Sequence, residues 1–519
     1  MRSVHIRIIM LCAVLAAVGA GAWQLLPTDG GRNRPISVGT TDDVSSLDPA
    51  GAYDAGSWAV YGNVYQSLLT FKPGSTSPVP DAADSCGFTD TSLTTYACTL
   101  REDLVFPSGR EVTARDVEYS FDRMLGIAAD VGPAALFPTL RSVTAQDRRV
   151  VFRLGARDAT FPLKLATGAG AIVDSTRYPK DRLREGTAVD GSGPYVLAAY
   201  EPGVRALLEP NPHYRGAMAR PRTPVEVRYF AEGEQLAAAW RRGDVDVTHR
   251  QLPPRMISTF DPGEEGVQMT EAPTAEIRSI VFDVREGAPT AERAVRQAVA
   301  ALVDRDRIAG GPYHSTVEPL YSLIPRGFVG HSTPFFDRYP DGDRAVDRAR
   351  ELLRDADVDL PVSLTYGHRA GETWAAEAAE LRRQLEASGL FRVKIVSAEW
   401  KEFQKGYTSG AYDAYGLGWL PDFPDSDSFT QPLVGRDNAV RNTYANARID
   451  RLIAATQQYG DRARAVDDFK EIQAQVAEDV PLVPLWQKKD YVLSSPDVTG
   501  SQYLSDGTGI WRLWQLDWL

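Results

Sequence analysis

The segment DAYGLGWLPDFPDSDSF, residues 413–429, predicts a core strand that ends in an acidic turn. Apolar residues alternate with small and polar ones through residues 412–419, which is typical of a strand, and Pro421 and Pro424 end it. A strand end delivers side chains to the edge of a sheet, so Asp422 becomes available to a ligand there. We therefore expect a binding cleft at this turn.

The chain before this turn alternates strands with helices. The predicted order is a strand in PVSLTY from Pro361, a helix over 374–388, a strand over 392–398, a helix over 399–409 and the strand over 412–419. This alternation predicts a wound α/β sheet with parallel strands, and ligands bind such sheets at the carboxyl ends of the strands. The turn that carries Asp422 follows such an end.

Two aromatic residues, Trp419 and Phe423, flank Asp422 and predict partly apolar surroundings for its carboxylate. An ion pair with an incoming cation is stronger there than in water. The sequence thus points to a pocket for a positively charged group. The alternative from this segment alone is a solvated acidic loop.

The bulk composition fits a globular protein with two or three domains. The chain has 519 residues, 43% of them hydrophobic, and a formal net charge of -12. No run of Lys and Arg provides the clustered positive charge that a nucleic-acid surface needs. We therefore expect no nucleic-acid partner.

The N-terminus predicts export. Arg2, His5 and Arg7 precede an uncharged run over residues 8–26, which includes the small residues of Ala20-Gly21-Ala22. Residues 1–34 are interpreted as a signal peptide or an uncleaved membrane anchor followed by a linker, because the uncharged run is nearly long enough to span a bilayer. Either alternative places the protein outside the cytoplasm, in the periplasmic space or on the outer face of the cell membrane.

Two cysteines, Cys86 and Cys98, lie in the exported part of the chain. A pair of cysteines outside the reducing cytosol is most simply a disulfide. Closing so short a loop stabilises the fold by about 2 to 3 kcal/mol. We predict that these residues are bonded, the alternative being two buried free thiols.

The sequence lacks the common catalytic motifs. It contains neither a G-x-S-x-G nor an H-E-x-x-H motif, and its histidines are scattered. It also lacks a Gly-rich phosphate loop. We therefore expect no catalytic residue, no metal site and no cofactor.

Several segments, in order, resemble one family of proteins. These segments are LDPAGAYD from Leu47, NVYQSLLTF from Asn63, VPDAADS from Val79, the segment from Tyr96 to Leu125, GSGPYVLAAYEPGVRALLEPNPHYRG from Gly191, AERAVRQAVAALVDRDRIAGG from Ala291 and VPLVPLWQKKDYVL from Val480. Together they resemble the extracytoplasmic solute-binding proteins of ABC importers, in the family that includes oligopeptide-, dipeptide- and nickel-binding members. The resemblance covers about residues 36–519.

The resemblance implies an α/β fold of the bilobal periplasmic-binding-protein type II, with an extra domain on the first lobe and a two-strand hinge. The expected boundaries are 36–69, 189–271 and 492–519 for lobe I, 70–188 for the extra domain inserted in lobe I, and 272–491 for lobe II.

The resemblance also implies ligand-binding residues. In the peptide binders of this family, a carboxylate three residues after a Trp pairs with the ligand's α-ammonium, and Trp419 and Asp422 occupy those places here. Phe423 is expected beside them. On the opposite wall, the loop after Asp48-Pro49 matches a ligand-contacting loop of the family. That match implies roles for the three residues Tyr53, Asp54 and Trp58.

The expected function is the capture of oligopeptides or dipeptides and their delivery to permease subunits in the membrane, with separate ATPase subunits and a monomeric receptor. One alternative is the same role for a sugar, a metal chelate or another small solute. A second is a receptor that signals without delivering cargo. The alternative from another class is a secreted hydrolase that uses Asp422 and Asp425 as acid and base.

Overall fold

The computed structural model describes residues 34–261, 263, 267–340, 342, 344–504 and 510–519. The predicted signal peptide or anchor, apart from Arg34 at its end, lies outside these residues. Within the described ranges, no helix is both long and apolar enough to cross a membrane.

An 11-stranded mixed sheet runs through both lobes. Its strands follow the order Phe391–Ala398, Val362–Arg369, Ala414–Trp419, Gln268–Phe282, Leu482–Ser494, Val247–His249, Ile36–Thr40, Val225–Tyr229, Arg205–Pro210 and Tyr195–Glu201, while Val317–Pro319 pairs with Leu482–Ser494. The order alternates between distant parts of the sequence, so each lobe is built from several chain segments.

Two long antiparallel strands connect the lobes, and we call them the hinge strands. Gln268–Phe282 pairs with Leu482–Ser494 from Gln268 opposite Ser494 to Val281 opposite Leu482. Ser494 also pairs with Val247 of lobe I, and Phe282 pairs with Ala414 of lobe II. The predicted lobe boundaries at 271/272 and 491/492 fall within these strands.

Lobe II contains the predicted alternation of strands and helices. Val362–Arg369 pairs in parallel with Phe391–Ala398 and with Ala414–Trp419. The helices of this part are Arg293–Leu302, Arg305–Gly310, Pro334–Arg338, Ala345–Asp355, Glu372–Ala387, Trp400–Ser409, Asp427–Val434, Ala447–Thr456 and Val466–Asp479, with 3-10 turns at Pro289–Ala291 and Arg462–Ala465. The α/β prediction for this lobe is confirmed.

The first lobe forms around Ile36–Thr40, which pairs in parallel with Val225–Tyr229 and Val247–His249. Its helices are Ala55–Val64, Gly233–Arg241 and Pro254–Thr259. We call Ala55–Val64 the cleft helix. It ends at Val64 because Tyr65 is extended and because Gly191 and Gly193 pack directly against this part of the backbone, without room for side chains.

The inserted segment forms a separate small sheet and core. Its antiparallel strands lie in the order Ala83–Phe88, Thr95–Leu100, Arg149–Leu154 and Leu140–Gln146, next to helices Ala114–Ile127 and Phe161–Leu165, the 3-10 turns Pro133–Leu136 and Gly168–Gly170, and the short pair Leu69–Phe71 and Pro78–Pro80. Cys86 lies directly opposite Cys98, and the two are bonded with Cα atoms 4.1 Å apart. The predicted disulfide is confirmed.

The C-terminal segment returns to lobe I. It contains the 3-10 turns Ser501–Tyr503 and Leu513–Gln515 and the paired strands Val498–Thr499 and Asp517–Trp518. Trp511 and Trp514 are each 5% exposed and belong to the apolar core around Ile36 and Val38. This packing fixes the wall behind the cleft helix.

Candidate functional site

The turn after Ala414–Trp419, residues 420–426, is held in place by hydrogen bonds from its own flanks, and we call it the site turn. The Trp419 indole Nε1 donates to the carbonyl of Ser428 at 2.7 Å, and the Ser428 hydroxyl donates to the carbonyl of Phe423 at 3.1 Å. The hydroxyl of Ser426 donates to the carbonyl of Val329 at 2.5 Å. The structure thus places Trp419 as a support of the turn.

Asp422 lies half-buried in the site turn, facing the first lobe. Burial raises the pKa of its carboxyl to about 6, while a hydrogen bond from the hydroxyl of Tyr53 and the charge of Lys164 act in the opposite direction. A carboxylate in such surroundings gains more from an incoming cation than an exposed one does. The predicted acid of lobe II and the predicted tyrosine of lobe I are therefore adjacent.

Tyr53 and Trp58 form the opposite wall of the cleft. Their ring centroids are 5.3 Å apart, and the Trp58 Nε1 donates to the carbonyl of Ala52 at 3.2 Å. The Tyr53 side chain retains 36% exposure. Burial and the nearby Asp422 raise the pKa of Tyr53 well above its usual value, so the phenol is protonated and acts as a donor.

The loop that carries Tyr53 is attached to the inserted domain by a buried ion pair. Arg123 contacts both carboxylate oxygens of Asp48, with Nη1 at 2.8 Å and Nη2 at 2.5 Å, and both side chains are at most 2% exposed. The backbone N–H of Arg184 also donates to Asp48, at 2.7 Å. A bidentate pair of this kind fixes both position and orientation.

Asp54 is the N-cap of the cleft helix. Its carboxylate accepts from the backbone N–H of Ser57 at 2.8 Å, from the Ser57 hydroxyl at 3.0 Å and from the hydroxyl of Ser45. These contacts occupy both oxygens, and its contact with a ligand stays a prediction. The preference of Asp for N-cap positions was the sequence signal for this structural role.

Phe423 packs across the gap between the lobes, into a core of the inserted domain. It is 4% exposed and belongs to the same apolar core as Phe161 and Leu165 of the inserted domain. The site turn of lobe II therefore contributes to a core on the other side of the cleft. Direct contact of Phe423 with a ligand stays a prediction, and its observed packing joins the lobes.

A polar contact beside Phe423 strengthens this junction. The backbone N–H of Ala159 donates to the carbonyl of Gln457 at 3.1 Å, and the Thr160 hydroxyl approaches the Gln457 amide oxygen at 3.4 Å. The Gln457 amide nitrogen in turn donates to Asp427. Together with the Phe423 packing, we call these contacts the interlobe contact.

Buried charges surround the interlobe contact. Arg462 holds both oxygens of Asp425, at 2.8 and 2.9 Å, and Lys164 contacts Asp158 at 2.8 Å. Burial, together with the nearby charge of Asp425, raises the pKa of Asp427 to about 6. Sequence reasoning missed Asp158, Lys164 and Arg462, because contacts between distant segments leave no local pattern.

Another charged group lies at the hinge. Asp42 and Arg250 follow the parallel strands Ile36–Thr40 and Val247–His249 at their carboxyl ends and are 3.5 Å apart. Lys488 lies 3.3 Å from Glu276 and 3.4 Å from Asp490, and these three residues belong to the hinge strands. Ligands bind open α/β sheets at such strand ends. Sequence reasoning also missed this group, which comes from four separate segments.

A small cavity of about 70 Å³, partly open to solvent, adjoins Asp422. Trp58 and Tyr65 of the cleft helix region, together with Gly168 of the inserted domain, line one part of it, and Leu420, Pro421 and Asp422 contribute from lobe II. Two lobes around such a pocket define a solute-binding protein.

The family profile for bacterial extracellular solute-binding proteins, family 5 Middle, matches residues 77–440. The match extends over more than half of the chain. The chain belongs to this family.

Known relatives align with almost the whole chain. A probable D,D-dipeptide-binding periplasmic protein of Escherichia coli is 26% identical over 514 residues, which cover 96% of each chain. A dipeptide-binding protein of Pseudomonas aeruginosa is 24% identical, covering 84% of this chain and 86% of the relative. Each alignment thus covers most of both proteins.

Solved structures share the fold. The periplasmic binding protein DppA of Helicobacter pylori, in complex with the peptide STSA, superposes with a TM-score of 0.81 at 20% identity, covering 94% of this chain and 98% of its own. The binding protein AgaA of A. tumefaciens, in complex with agropinic acid, has a TM-score of 0.79 at 20% identity, covering 93% and 98%. The bilobal type II fold expected from the sequence is thereby confirmed.

Proposed function

We propose that this chain is the substrate-binding component of an ABC importer that captures oligopeptides or dipeptides outside the membrane and delivers them to a permease. Membership of the extracellular solute-binding family supports the receptor role. The sequence has no Gly-rich phosphate loop, so ATP hydrolysis belongs to separate subunits. The receptor acts as a monomer and catalyses no reaction.

The observation that carries the peptide proposal is the position of Asp422. Its carboxyl is half-buried between aromatic residues of both lobes, and burial raises its pKa to about 6. A peptide's α-ammonium brings a positive charge that stabilises the ionised carboxylate. Closing the lobes over the ligand excludes water and strengthens this ion pair.

The names of relatives support the same ligand class. The two relatives described above are named for binding D,D-dipeptides and dipeptides, and the Helicobacter structure contains a peptide. The AgaA structure contains agropinic acid. A non-peptide solute with a cationic group is therefore the second candidate for this cleft.

The hydrolase alternative requires Asp425 as a second catalytic carboxylate. Arg462 occupies both of its oxygens, and the side chain is 5% exposed. A free acid or base at this position is therefore disfavoured. The pairing supports a receptor over an enzyme that would use Asp422 and Asp425 together.

Native mass spectrometry of the purified protein, followed by calorimetry with the ligand it retains, tests the proposal. Asp422→Ala is expected to fold normally and to lose about 2 to 5 kcal/mol of binding free energy, because the ammonium loses its partner. Asp347→Asn, at an exposed acid of lobe II, is the matched control and retains affinity. Unchanged affinity in Asp422→Ala contradicts the site, and turnover of a peptide or glycoside contradicts the receptor role.

A further inference from the structure

The lining of the pocket beside Asp422 is mostly apolar, and its charged residues are acidic. Among the described residues that form it, none is Lys, Arg or His, and the two charged ones are Asp422 and Asp81. Aromatic and aliphatic side chains form most of the remaining surface. A ligand in this pocket therefore meets an apolar wall and acidic groups, without a positive counter-charge from the lining.

Both carboxylate oxygens of Asp81 already accept hydrogen bonds from lobe I. Its Oδ1 accepts from the Tyr214 hydroxyl at 2.7 Å and from the backbone N–H of Ala217 at 2.8 Å, and its Oδ2 accepts from the Gln66 amide at 3.3 Å. Burial raises the pKa of this carboxyl, which further disfavours a free charge. Asp422 is thus the acid of the pocket that can meet a ligand cation.

Hydroxyl groups of the wall also have partners within the protein. Tyr61 donates to the carbonyl of Ser46 at 2.7 Å, and Tyr65 donates to the carbonyl of Leu47 at 2.8 Å. Ser67 donates to the carbonyl of Thr167 at 3.1 Å. With these groups satisfied internally, the surface presented to a ligand at these positions is mainly apolar.

The indole of Trp58 forms a fixed part of this wall. A Cβ at Gly168 would lie 2.8 Å from the Trp58 Cγ, so the absence of a side chain at Gly168 permits the close approach. The bond from Nε1 to the carbonyl of Ala52 holds the ring from the other side. A flat, rigid aromatic surface favours packing against an apolar or aromatic group.

We propose that this pocket selects peptides whose first residue has an apolar or aromatic side chain. The inference rests on the proposed peptide-binding function and names its substrate class. Asp422 pairs with the α-ammonium, and the first side chain branches from the carbon that bears that ammonium, so it enters the adjoining pocket. An acidic first side chain would lose its hydration, would meet no basic residue in the pocket lining and would be repelled by Asp422.

Calorimetry with four dipeptides tests the inference: Phe-Ala, Asp-Ala, Ala-Phe and Ala-Asp. Phe-Ala is expected to bind at least about tenfold more tightly than Asp-Ala, since burying an aromatic side chain favours binding and burying an unpaired carboxylate opposes it. The reversed pair keeps the composition but moves the variable side chain out of the pocket, so Ala-Phe and Ala-Asp are expected to differ less.

Gly62 offers a matched pair of variants on the cleft helix. Among the described residues, a Cβ at this position meets only Ile510 Cγ2, at 3.9 Å, so Gly62→Ala fits there and serves as the control. Gly62→Leu extends into the pocket and is expected to weaken Phe-Ala binding by about tenfold or more relative to Gly62→Ala, with a smaller effect on Ala-Ala.

The outcomes separate the two proposals. If the wild-type protein binds dipeptides without regard to the first side chain, the inference about the pocket is overturned and the peptide-binding function stands. If it binds none of the dipeptides or longer peptides tested, the proposed function is overturned, together with the inference that rests on it.

Discussion

Tyr53 of lobe I and Asp422 of lobe II lie close enough for each to shift the pKa of the other, through charge and through hydrogen bonding. The two residues belong to opposite walls of the cleft, so their contact belongs to the closed arrangement of the lobes. The hydrogen bond favours the ionised carboxylate, whereas burial favours the neutral acid. The balance leaves the pKa of Asp422 at about 6.

The first prediction concerns the pH dependence of binding. An ammonium binds the ionised carboxylate, so below a pH of about 6 the ligand must displace a proton from Asp422. The affinity for a peptide is therefore expected to be highest near pH 7, where the peptide's α-ammonium is still charged, and to fall below pH 6, approaching tenfold per pH unit. Calorimetry between pH 5 and 7 measures this, and Asp422→Asn should remove the fall in affinity below pH 6. A profile that is flat for the wild type contradicts the assignment.

The second prediction concerns Tyr53→Phe. The variant keeps the ring that packs 5.3 Å from the Trp58 ring but loses the hydroxyl. Because the hydrogen bond lowers the pKa of Asp422, we expect the fall in peptide affinity to begin at a higher pH than in the wild type. At pH 7 the affinity should fall several-fold, as expected for a hydrogen bond to a charged group. Tyr503→Phe, at a residue 39% exposed, is the control, and an unshifted pH profile in Tyr53→Phe contradicts the contact.

The third prediction concerns Phe423 and closure. Its side chain joins the core around Phe161 in the inserted domain, so truncation removes apolar contact between the lobes. Phe423→Ala is expected to increase the open population of the ligand-free protein, which small-angle X-ray scattering detects as a larger radius of gyration. Apparent affinity should fall by about tenfold or more, because a smaller fraction is competent to bind. Phe336→Ala, at a phenylalanine 51% exposed, should leave both quantities unchanged. An unchanged radius and affinity in Phe423→Ala contradict the proposed role.

Local patterns predicted the secondary structure of lobe II and the location of Asp422. The alternation of strands and helices over residues 361–419 depends on hydrophobic periodicity, which neighbouring residues determine, and the prolines after Trp419 define the end of the strand. The resemblance to a family added Tyr53 and Trp58, which the structure places across from Asp422. These parts could be predicted because each depends on a short segment or on a recognisable motif.

Contacts between distant segments could not be predicted in the same way. Phe423 packs into an apolar core of the inserted domain, and no local sequence pattern reports the approach of that domain. The pairing of Gln457 with Ala159 likewise joins segments that only the folded chain brings together. Asp54 is different, because its role as an N-cap was readable from the residue type before a helix.

The fourth prediction concerns the disulfide between Cys86 and Cys98. The bond closes a short loop between adjacent strands, with 12 positions separating the cysteines. Replacing both by Ser is expected to lower the free energy of unfolding by about 2 to 3 kcal/mol, measured by urea denaturation. Peptide affinity should be retained, because neither cysteine lines the pocket beside Asp422. Reductant should destabilise the wild type alone, and equal stability of the oxidised wild type and the variant would contradict the prediction.

The fifth prediction concerns Asp427, whose carboxyl is 5% exposed. Burial and Asp425 raise its pKa from 3.8 to about 6, so the native state holds a proton that the unfolded state releases between these pH values. The wild type therefore loses stability as pH rises from about 4 to about 6. Asp427→Asn does not titrate, so its free energy of unfolding relative to the wild type should rise over this interval, by at most about 3 kcal/mol, and then level off.

The hydrogen bonds of Asp427 allow this substitution. An Asn oxygen can accept from the Gln457 amide, and its nitrogen can donate to the hydroxyl oxygen of Thr456, which lies 3.2 Å from the carboxyl and already donates to the carbonyl of Ile453. Urea denaturation at several pH values between 4 and 8 measures the difference, with the exposed Asp347→Asn as the control. A relative stability that stays constant or falls between pH 4 and 6 would show that Asp427 is already ionised at low pH. That result would contradict the raised pKa of the Asp427 carboxyl.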